Sequence, residues 1–109
     1  MMASSYVDFF KDKRGKVVSC IVNTYTNSGV TRSVTIELGR KYVIDPINLL
    51  KKKHRGRTCM VIGFITDEQG TPSDVRVKFL DTSRTGRISI RDIVPVDVAK
   101  NRSDRFFNP

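Results

Sequence analysis

The feature that most constrains the fold of this chain is a strict alternation of apolar and polar residues in two separate segments. In residues 32–38, Val, Ile and Leu occupy every second position from Val34, with Thr and Glu between them. Residues 74–80 repeat the pattern with Val, Val and Phe, separated by Arg and Lys. Successive side chains of a β-strand point to opposite faces, so a period of two predicts strands with one buried face.

Further segments are predicted as strands because they are rich in β-branched and apolar residues. Residues 58–66 are apolar on both faces, which favours a central position in a sheet. Asn27-Ser28-Gly29 predicts the turn of a hairpin that joins 16–26 to 32–38. Residues 74–80 and 87–91 are predicted to form a second hairpin. The five predicted strands are 16–26, 32–38, 58–66, 74–80 and 87–91, and residues 93–96 close the last of them, with Pro95 at an edge or end.

Helical signals are few, so the predicted fold class is all-β with at most a short helix. Residues 5–13 are interpreted as a short amphipathic turn that carries Val7, Phe9 and Phe10. Asp45-Pro46 resembles an N-cap followed by proline at the first helical position, which predicts one or two helical turns in 45–53 that end at Gly56.

Two halves of the chain share an order of features. Arg14-Gly15-Lys16 and Arg55-Gly56-Arg57 each precede a long apolar strand, a polar loop and an alternating strand. Two tandem copies of one β unit explain this order, and chance similarity between β-rich segments explains it also. The predicted division is an N-terminal segment 1–13, a first β unit 14–53, a second β unit 54–98 and a tail 99–109, which together form one compact domain in the alternative interpretation.

The second unit resembles the small SH3-like barrels of the KOW and Tudor-like kind. The resemblance rests on Gly56, the Val61-Ile62-Gly63-Phe64 core, Gly70, and the run VRVKFLDTSRTGRISIRDIVP that begins at Val75. It implies one SH3-like small barrel, or two side by side. Asp67-Glu68-Gln69 stands where KOW domains carry a basic loop, and the chain has no clustered aromatic cage of the methyl-lysine-reading Tudor kind.

Charge indicates the class of partner. Lys and Arg number 20 against 11 Asp and Glu, which gives a net charge of +9 and favours a polyanion. Seven basic residues lie between positions 40 and 57 with one acid, Asp45, and such a run can follow a phosphate backbone. A solvated linker is the alternative. The candidate contacts are Arg40, Lys41, Lys51, Lys52, Lys53, Arg55 and Arg57.

A second basic set lies on the alternating strands. Arg76 and Lys78 share one face of their strand, and Arg87 and Arg91 join them if 74–80 and 87–91 pair as a hairpin. Interleaved aspartates, including Asp74 and Asp81, leave mutual salt pairing as the alternative. Aromatic candidates for stacking on bases are Tyr25, Tyr42, Phe64, Phe106 and Phe107.

Signals for catalysis and for cofactors are weak. His54 is the one histidine and lies within the basic run, and Cys20, Cys59 and His54 do not have a zinc-ligand spacing. We therefore expect no enzyme activity, no metal and no cofactor. Neither a signal peptide nor a membrane span is evident, and both cysteines lie in apolar runs, so the expected location is cytoplasmic.

The sequence therefore predicts a non-enzymatic, basic β-barrel protein that contacts nucleic-acid phosphates, with RNA or a ribonucleoprotein slightly favoured over duplex DNA. The alternative is a small adaptor or inhibitor that docks on an acidic protein surface. Self-association through an edge strand is also open, and the sequence does not determine the oligomeric state.

Overall fold

β-Strands account for most of the chain in the computed structural model, which describes residues 4–26, 29–47 and 50–97. Within these ranges the predicted all-β fold class is confirmed. The turn residues Asn27 and Ser28, and the tail 99–109, lie outside the described residues. The strands are β1 Ser4–Lys11, β2 Val17–Thr26, β3 Gly29–Glu37, β4 Lys41–Ile44, β5 Thr58–Thr66, β6 Pro72–Phe79, β7 Thr85–Ser89 and β8 Ile93–Pro95, with a 3-10 turn at Ile90–Asp92.

The first sheet contains β1, β2 and β3 in that order, and both of its ladders are antiparallel. The predicted pairing of β2 with β3 is confirmed. The amphipathic turn predicted at 5–13 is wrong, because β1 pairs with β2 along its whole length. Val7 and Phe9 of β1 pack against the core, whereas Tyr6 and Phe10 are exposed on the opposite face. Apolar residues on both faces therefore conceal the period of two.

The second sheet has the strand order β7-β6-β5-β4-β8. β5 is the middle strand, as its two apolar faces predict, and β6 and β7 form the predicted hairpin. The sequence pattern does not predict β4, which pairs with both β5 and β8. Among the described residues no ladder joins β7 to β8, so the sheet is open at both edges. The domain boundary predicted at 53/54 falls in the loop between β4 and β5.

The loop between β4 and β5 contains no helical turn in its described parts, 45–47 and 50–57, so the helix predicted at 45–53 is wrong there. Residues 48 and 49 of that prediction lie outside the described residues. The carboxylate of Asp45 accepts a hydrogen bond from Arg32 and another from Arg55, each at 3.1 Å. Asp45 therefore binds two guanidinium groups instead of capping helix amides.

One hydrophobic core joins the two sheets. Apolar side chains of β2 and β3 pack against those of the second sheet, and both cysteines lie inside this cluster as free thiols. Burial raises the pKa of Cys20 to about 12 and that of Cys59 to about 11. The buried members are Cys20, Val22, Val34, Ile36, Tyr42, Ile44, Cys59, Val61, Val75, Val77, Phe79, Ile88, Ile90, Ile93 and Val94.

Tyr42 connects the sheets with a polar contact inside this core. Its ring is fully buried, and its hydroxyl donates to the carbonyl of Thr35 at 3.0 Å and accepts from the N–H of Glu37 at 2.8 Å. Both backbone groups belong to β3, a strand that pairs with β2 on its other side. The Tyr42 phenol thus provides hydrogen-bond partners for two backbone groups at the outer edge of β3.

Candidate nucleic-acid interface

Basic side chains are collected on the side of the second sheet that faces away from the core. Paired residues of antiparallel strands place their side chains on the same face. Lys41 of β4 pairs with Met60 of β5, and Met60 in turn pairs with Lys78 of β6. Two residues along β6, Arg76 pairs with Arg87 of β7.

The ladders therefore bring together four exposed cations that are distant in the sequence. We call Lys41, Arg76, Lys78 and Arg87 the basic sheet face. Arg87 contacts the carboxylate of Asp74 at 2.7 Å. Lys41, Arg76 and Lys78 have no carboxylate within salt-bridge distance among the described residues. This face is thus electrostatically open to an external anion.

A shallow depression of about 310 Å³ lies on the same face. The side chains of Ile65, Arg76, Thr85 and Arg87 line it, together with Gly86. Two arginines and a threonine therefore border the depression together with one apolar side chain, Ile65. Guanidinium groups bind phosphate oxygens with paired donors, so the depression suits a phosphate beside an apolar group.

Arg55 and Arg57, both candidate contacts, are held by the protein itself. Arg55 donates to Asp45, to the carbonyl of Pro46 at 3.0 Å and to the carbonyl of Lys51 at 3.0 Å. Arg57 donates to both carboxylate oxygens of Asp81, at 2.9 and 3.1 Å. These bonds order the loop between β4 and β5 and tie it to the turn that follows β6.

The other members of the 40–57 run divide into paired and unpaired cations. Lys51 forms an ion pair with Asp92, and Arg40 contacts Glu37 at 3.3 Å and Asp97 at 3.8 Å. Lys52 and Lys53 are exposed and, in the described part of the chain, have no acidic partner. Of the predicted run, Lys41, Lys52 and Lys53 therefore keep their charge available to a ligand.

His54 lies in the loop between β4 and β5, and its surroundings lower its pKa. Its ring lies 4.9 Å from the ring of Phe79, and its Nδ1 is 2.7 Å from a guanidinium nitrogen of Arg57. Desolvation of the ring lowers its pKa below the ordinary value, and the positive charges of Arg57 and Lys53 lower it further. The neutral ring is therefore favoured, and it accepts the hydrogen bond from Arg57.

A further basic run, at residues 11–16, is not among the ligand contacts predicted from the sequence. It contains Lys11, Lys13, Arg14 and Lys16 with one acid, Asp12, and forms the turn between β1 and β2. None of these four cations has a carboxylate within salt-bridge distance in the described ranges. The same criterion that selected 40–57, a high local density of Lys and Arg, would have found this run.

The aromatic candidates for stacking differ in exposure. Tyr42 is fully buried, so it offers no face to a base. Tyr25 lies edge-on to Tyr6, with ring centroids 6.0 Å apart. Phe64 is half-buried at the end of β5. Phe106 and Phe107 lie outside the described residues.

Comparisons with known proteins give no relative: no family model, no curated protein and no solved structure matches this chain. Among residues 4–26, 29–47 and 50–97, no group of three or more His, Cys, Asp or Glu side chains is arranged to hold a metal ion. In the same ranges no helix is long and apolar enough to cross a membrane.

Proposed function

We propose that this protein is a non-enzymatic nucleic-acid-binding protein whose basic sheet face contacts the phosphates of a single strand, with RNA or a ribonucleoprotein favoured over duplex DNA. The observation that carries the proposal is that Lys41, Arg76 and Lys78 share one exposed sheet face without a carboxylate partner in the described residues. Unneutralised cations on one surface are the electrostatic footprint of a polyanion site. The two free lysines of the neighbouring loop, Lys52 and Lys53, extend that footprint.

The geometry favours contact with a backbone over reading of a base sequence. Neighbouring strands lie about 4.8 Å apart, and residues two apart along a strand about 6.6–6.8 Å apart. Long, flexible side chains on such a grid can follow phosphates in several registers. We therefore expect binding that depends strongly on salt and only weakly on sequence.

An SH3-like unit is part of the same proposal. It is supported by the antiparallel order of β4 to β7 and by the return of β8 to β4 after a single 3-10 turn. Such a unit presents sheet and loop surface to its ligand rather than a helix, which suits single strands better than the major groove of a duplex. The proposed setting is the cytoplasm, where the buried free thiols Cys20 and Cys59 stay reduced.

Fluorescence anisotropy with labelled single-stranded RNA, single-stranded DNA and duplex DNA across a salt series tests the proposal. The test variant is Arg76→Gln with Lys78→Gln. Its matched control is Arg84→Gln with Arg91→Gln, which removes the same charge from exposed positions. Arg84 lies in the turn after β6, and Arg91, predicted on this face, lies instead in the 3-10 turn and donates to Ser5 of β1. Thermal unfolding of both variants establishes that each is folded.

We expect the test variant to lose at least tenfold in affinity and the control less than threefold. The logarithmic salt slope should shrink by about 1.4 for a single strand, because each lost phosphate contact removes about 0.7. Equal losses in the two variants would mean that net charge alone drives binding. Absence of binding by the unmodified protein at low salt would eliminate the proposal.

A second candidate function, docking of an acidic, extended protein segment, is favoured by β1. This strand lies at the edge of the first sheet, and Tyr6 and Phe10 are 69% and 53% exposed on it. Lys11 and Arg91, at its two ends, would attract acidic residues. A labelled glutamate-rich peptide should then bind the unmodified protein and the Arg76→Gln, Lys78→Gln variant equally, but not Tyr6→Ser with Phe10→Ser.

A further inference from the structure

Two hairpin turns of this protein, one from each sheet, have the same internal geometry. In the turn between β1 and β2, Asp12 Oδ1 accepts from the N–H groups of Arg14 and Lys16, both at 2.9 Å. In the turn between β5 and β6, Asp67 Oδ1 accepts from the N–H groups of Gln69 and Thr71, at 2.9 and 3.0 Å.

A glycine closes each of these turns in the left-handed region, Gly15 at φ +82° and Gly70 at φ +83°. Each glycine N–H also donates at 3.0 Å to the carbonyl of the aspartate that begins its turn. Both loops are therefore fixed by the same set of hydrogen bonds before any ligand arrives. A ligand that binds between them meets a preorganised surface.

The two turns border a common cavity of about 220 Å³. One wall comes from the first sheet and the other from the end of β5. A Cβ added at Gly15 or at Gly70 would meet no atom within 4 Å, so both glycines face open space. The lining residues that matter for a ligand are Lys11, Gly15, Lys16, Phe64, Thr66 and Gly70.

Charge is divided unequally between the two walls. The first wall belongs to the 11–16 run, whose cations have no carboxylate within salt-bridge distance in the described ranges. Among the described lining residues, the second wall carries no cation and contributes Thr66 and the half-buried ring of Phe64. An anionic group is therefore attracted to the first wall, and a group with a flat apolar face is attracted to the second.

We propose that this cavity holds one nucleotide of a single strand, with its phosphate at Lys11 and Lys16 and its base against Phe64. The proposal rests on the nucleic-acid function proposed above and adds a second contact site to the basic sheet face. A cavity of about 220 Å³ is smaller than the pockets that enclose drug-sized ligands, so the nucleotide would be partly enclosed and its sugar would remain in solvent. Aromatic rings stack with any base, and the larger ring system of a purine stacks more strongly than that of a pyrimidine.

The test is a titration of the 15N-labelled protein with adenosine 5′-monophosphate, uridine 5′-monophosphate, inorganic phosphate and a single-stranded RNA hexamer, followed through amide chemical shifts. We expect the amides of Gly15, Lys16, Gly70 and Thr71 to shift with adenosine 5′-monophosphate and with the hexamer. Binding of adenosine 5′-monophosphate should be at least threefold tighter than that of uridine 5′-monophosphate and at least tenfold tighter than that of phosphate.

Matched variants separate the site from general charge. Lys16→Gln should weaken binding of adenosine 5′-monophosphate at least threefold, whereas Lys13→Gln changes the same charge in the same turn off the cavity lining and should have little effect. Phe64→Leu should abolish the preference over phosphate, and thermal unfolding checks that it is folded.

Each other outcome overturns a defined part of the two proposals. Hexamer shifts confined to β4, β6 and β7 would overturn the nucleotide cavity and leave the basic sheet face standing. Equal affinity for phosphate and for adenosine 5′-monophosphate would also overturn the cavity, because it would reveal only a nonspecific anion site. Mononucleotide binding without hexamer binding would overturn the single-strand function instead.

Discussion

Arg76 and Arg87 lie directly opposite each other on β6 and β7, and only Arg87 has a carboxylate partner in the described residues. Like charges at directly opposed positions of an antiparallel pair destabilise the sheet. Asp74 offsets this repulsion on one side alone. An anionic ligand would reduce the repulsion between these two arginines, so the pair favours the bound state over the free protein.

The first prediction is that Arg76→Thr stabilises the fold while it weakens binding. The change removes the opposed charge and introduces a β-branched residue, so the free energy of unfolding should rise by about 0.2–1 kcal/mol. Urea unfolding measures the first effect and anisotropy with single-stranded RNA the second. Arg87→Thr is the control, because it also breaks the contact with Asp74. A loss of both stability and affinity in Arg76→Thr would contradict the prediction.

The second prediction concerns His54, whose single histidine signal can be followed by NMR. Its pKa should lie below the ordinary 6.5, because desolvation disfavours the protonated ring and Arg57 and Lys53 add positive charge. Since the unfolded chain then binds the proton more readily, His54 should lower the stability of the fold as the pH falls below about 6.5.

Binding of single-stranded RNA should raise the pKa of His54, because phosphates beside Lys52 and Lys53 offset the positive charge near the ring. By linkage, affinity should increase as the pH falls through this range. Lys53→Gln should raise the pKa of His54 in the free protein, because it removes a positive charge that lowers this pKa. An unchanged pKa in a saturated complex would mean that this loop does not contact the nucleic acid.

The third prediction tests the contact between the sheets. Tyr42→Phe removes the hydroxyl that serves both Thr35 and Glu37, so the free energy of unfolding should fall by about 1–3 kcal/mol. Tyr25→Phe makes the same chemical change at a hydroxyl without a hydrogen-bond partner in the described residues, and should stay within about 0.5 kcal/mol. Equal effects in urea unfolding would show that the Tyr42 hydroxyl has no special role.

The fourth prediction tests packing around Phe79, whose ring lies 4.0 Å from the guanidinium of Arg57. A Cβ added at Gly86 would come within 2.6 Å of Phe79 Cε2. Gly86→Ala should therefore lower the free energy of unfolding by about 1–3 kcal/mol. Gly63→Ala is the control, because its Cβ would meet Arg76 Cβ at an ordinary 3.9 Å and the cost should stay below about 0.5 kcal/mol.

The sequence predicts those strands whose burial alternates visibly. Val34 and Ile36 in β3, and Val75 and Val77 in β6, mark one face each, so both hairpins follow from local pattern. β4 spans only Lys41–Ile44, which is too short to display a period, and its place between β5 and β8 depends on long-range pairing. The helix predicted from Asp45 fails because distant arginines bind that carboxylate.

The sequence predicts that the candidate site is basic, but it does not predict which cations form ion pairs or which of them share a face. Local density of Lys and Arg identifies the 40–57 run, but it does not distinguish Arg57, held by Asp81, from Lys53, which has no acidic partner in the described residues. Lys41 and Lys78 come onto one face only through the register of β4, β5 and β6. Such neighbours arise from tertiary structure, which periodicity and composition do not encode.

The pairing of β4 with β8 has a consequence for the order in which the chain folds. Three strands separate these partners in sequence, whereas β1 pairs with β2 and β2 pairs with β3, the next strand along the chain in each case. During synthesis the first sheet can therefore form soon after Glu37 leaves the ribosome, while β4 waits with one side unpaired until Ile93–Pro95 has emerged. We therefore expect the second sheet to be completed last, and the burial of Tyr42 against β3 to be completed with it.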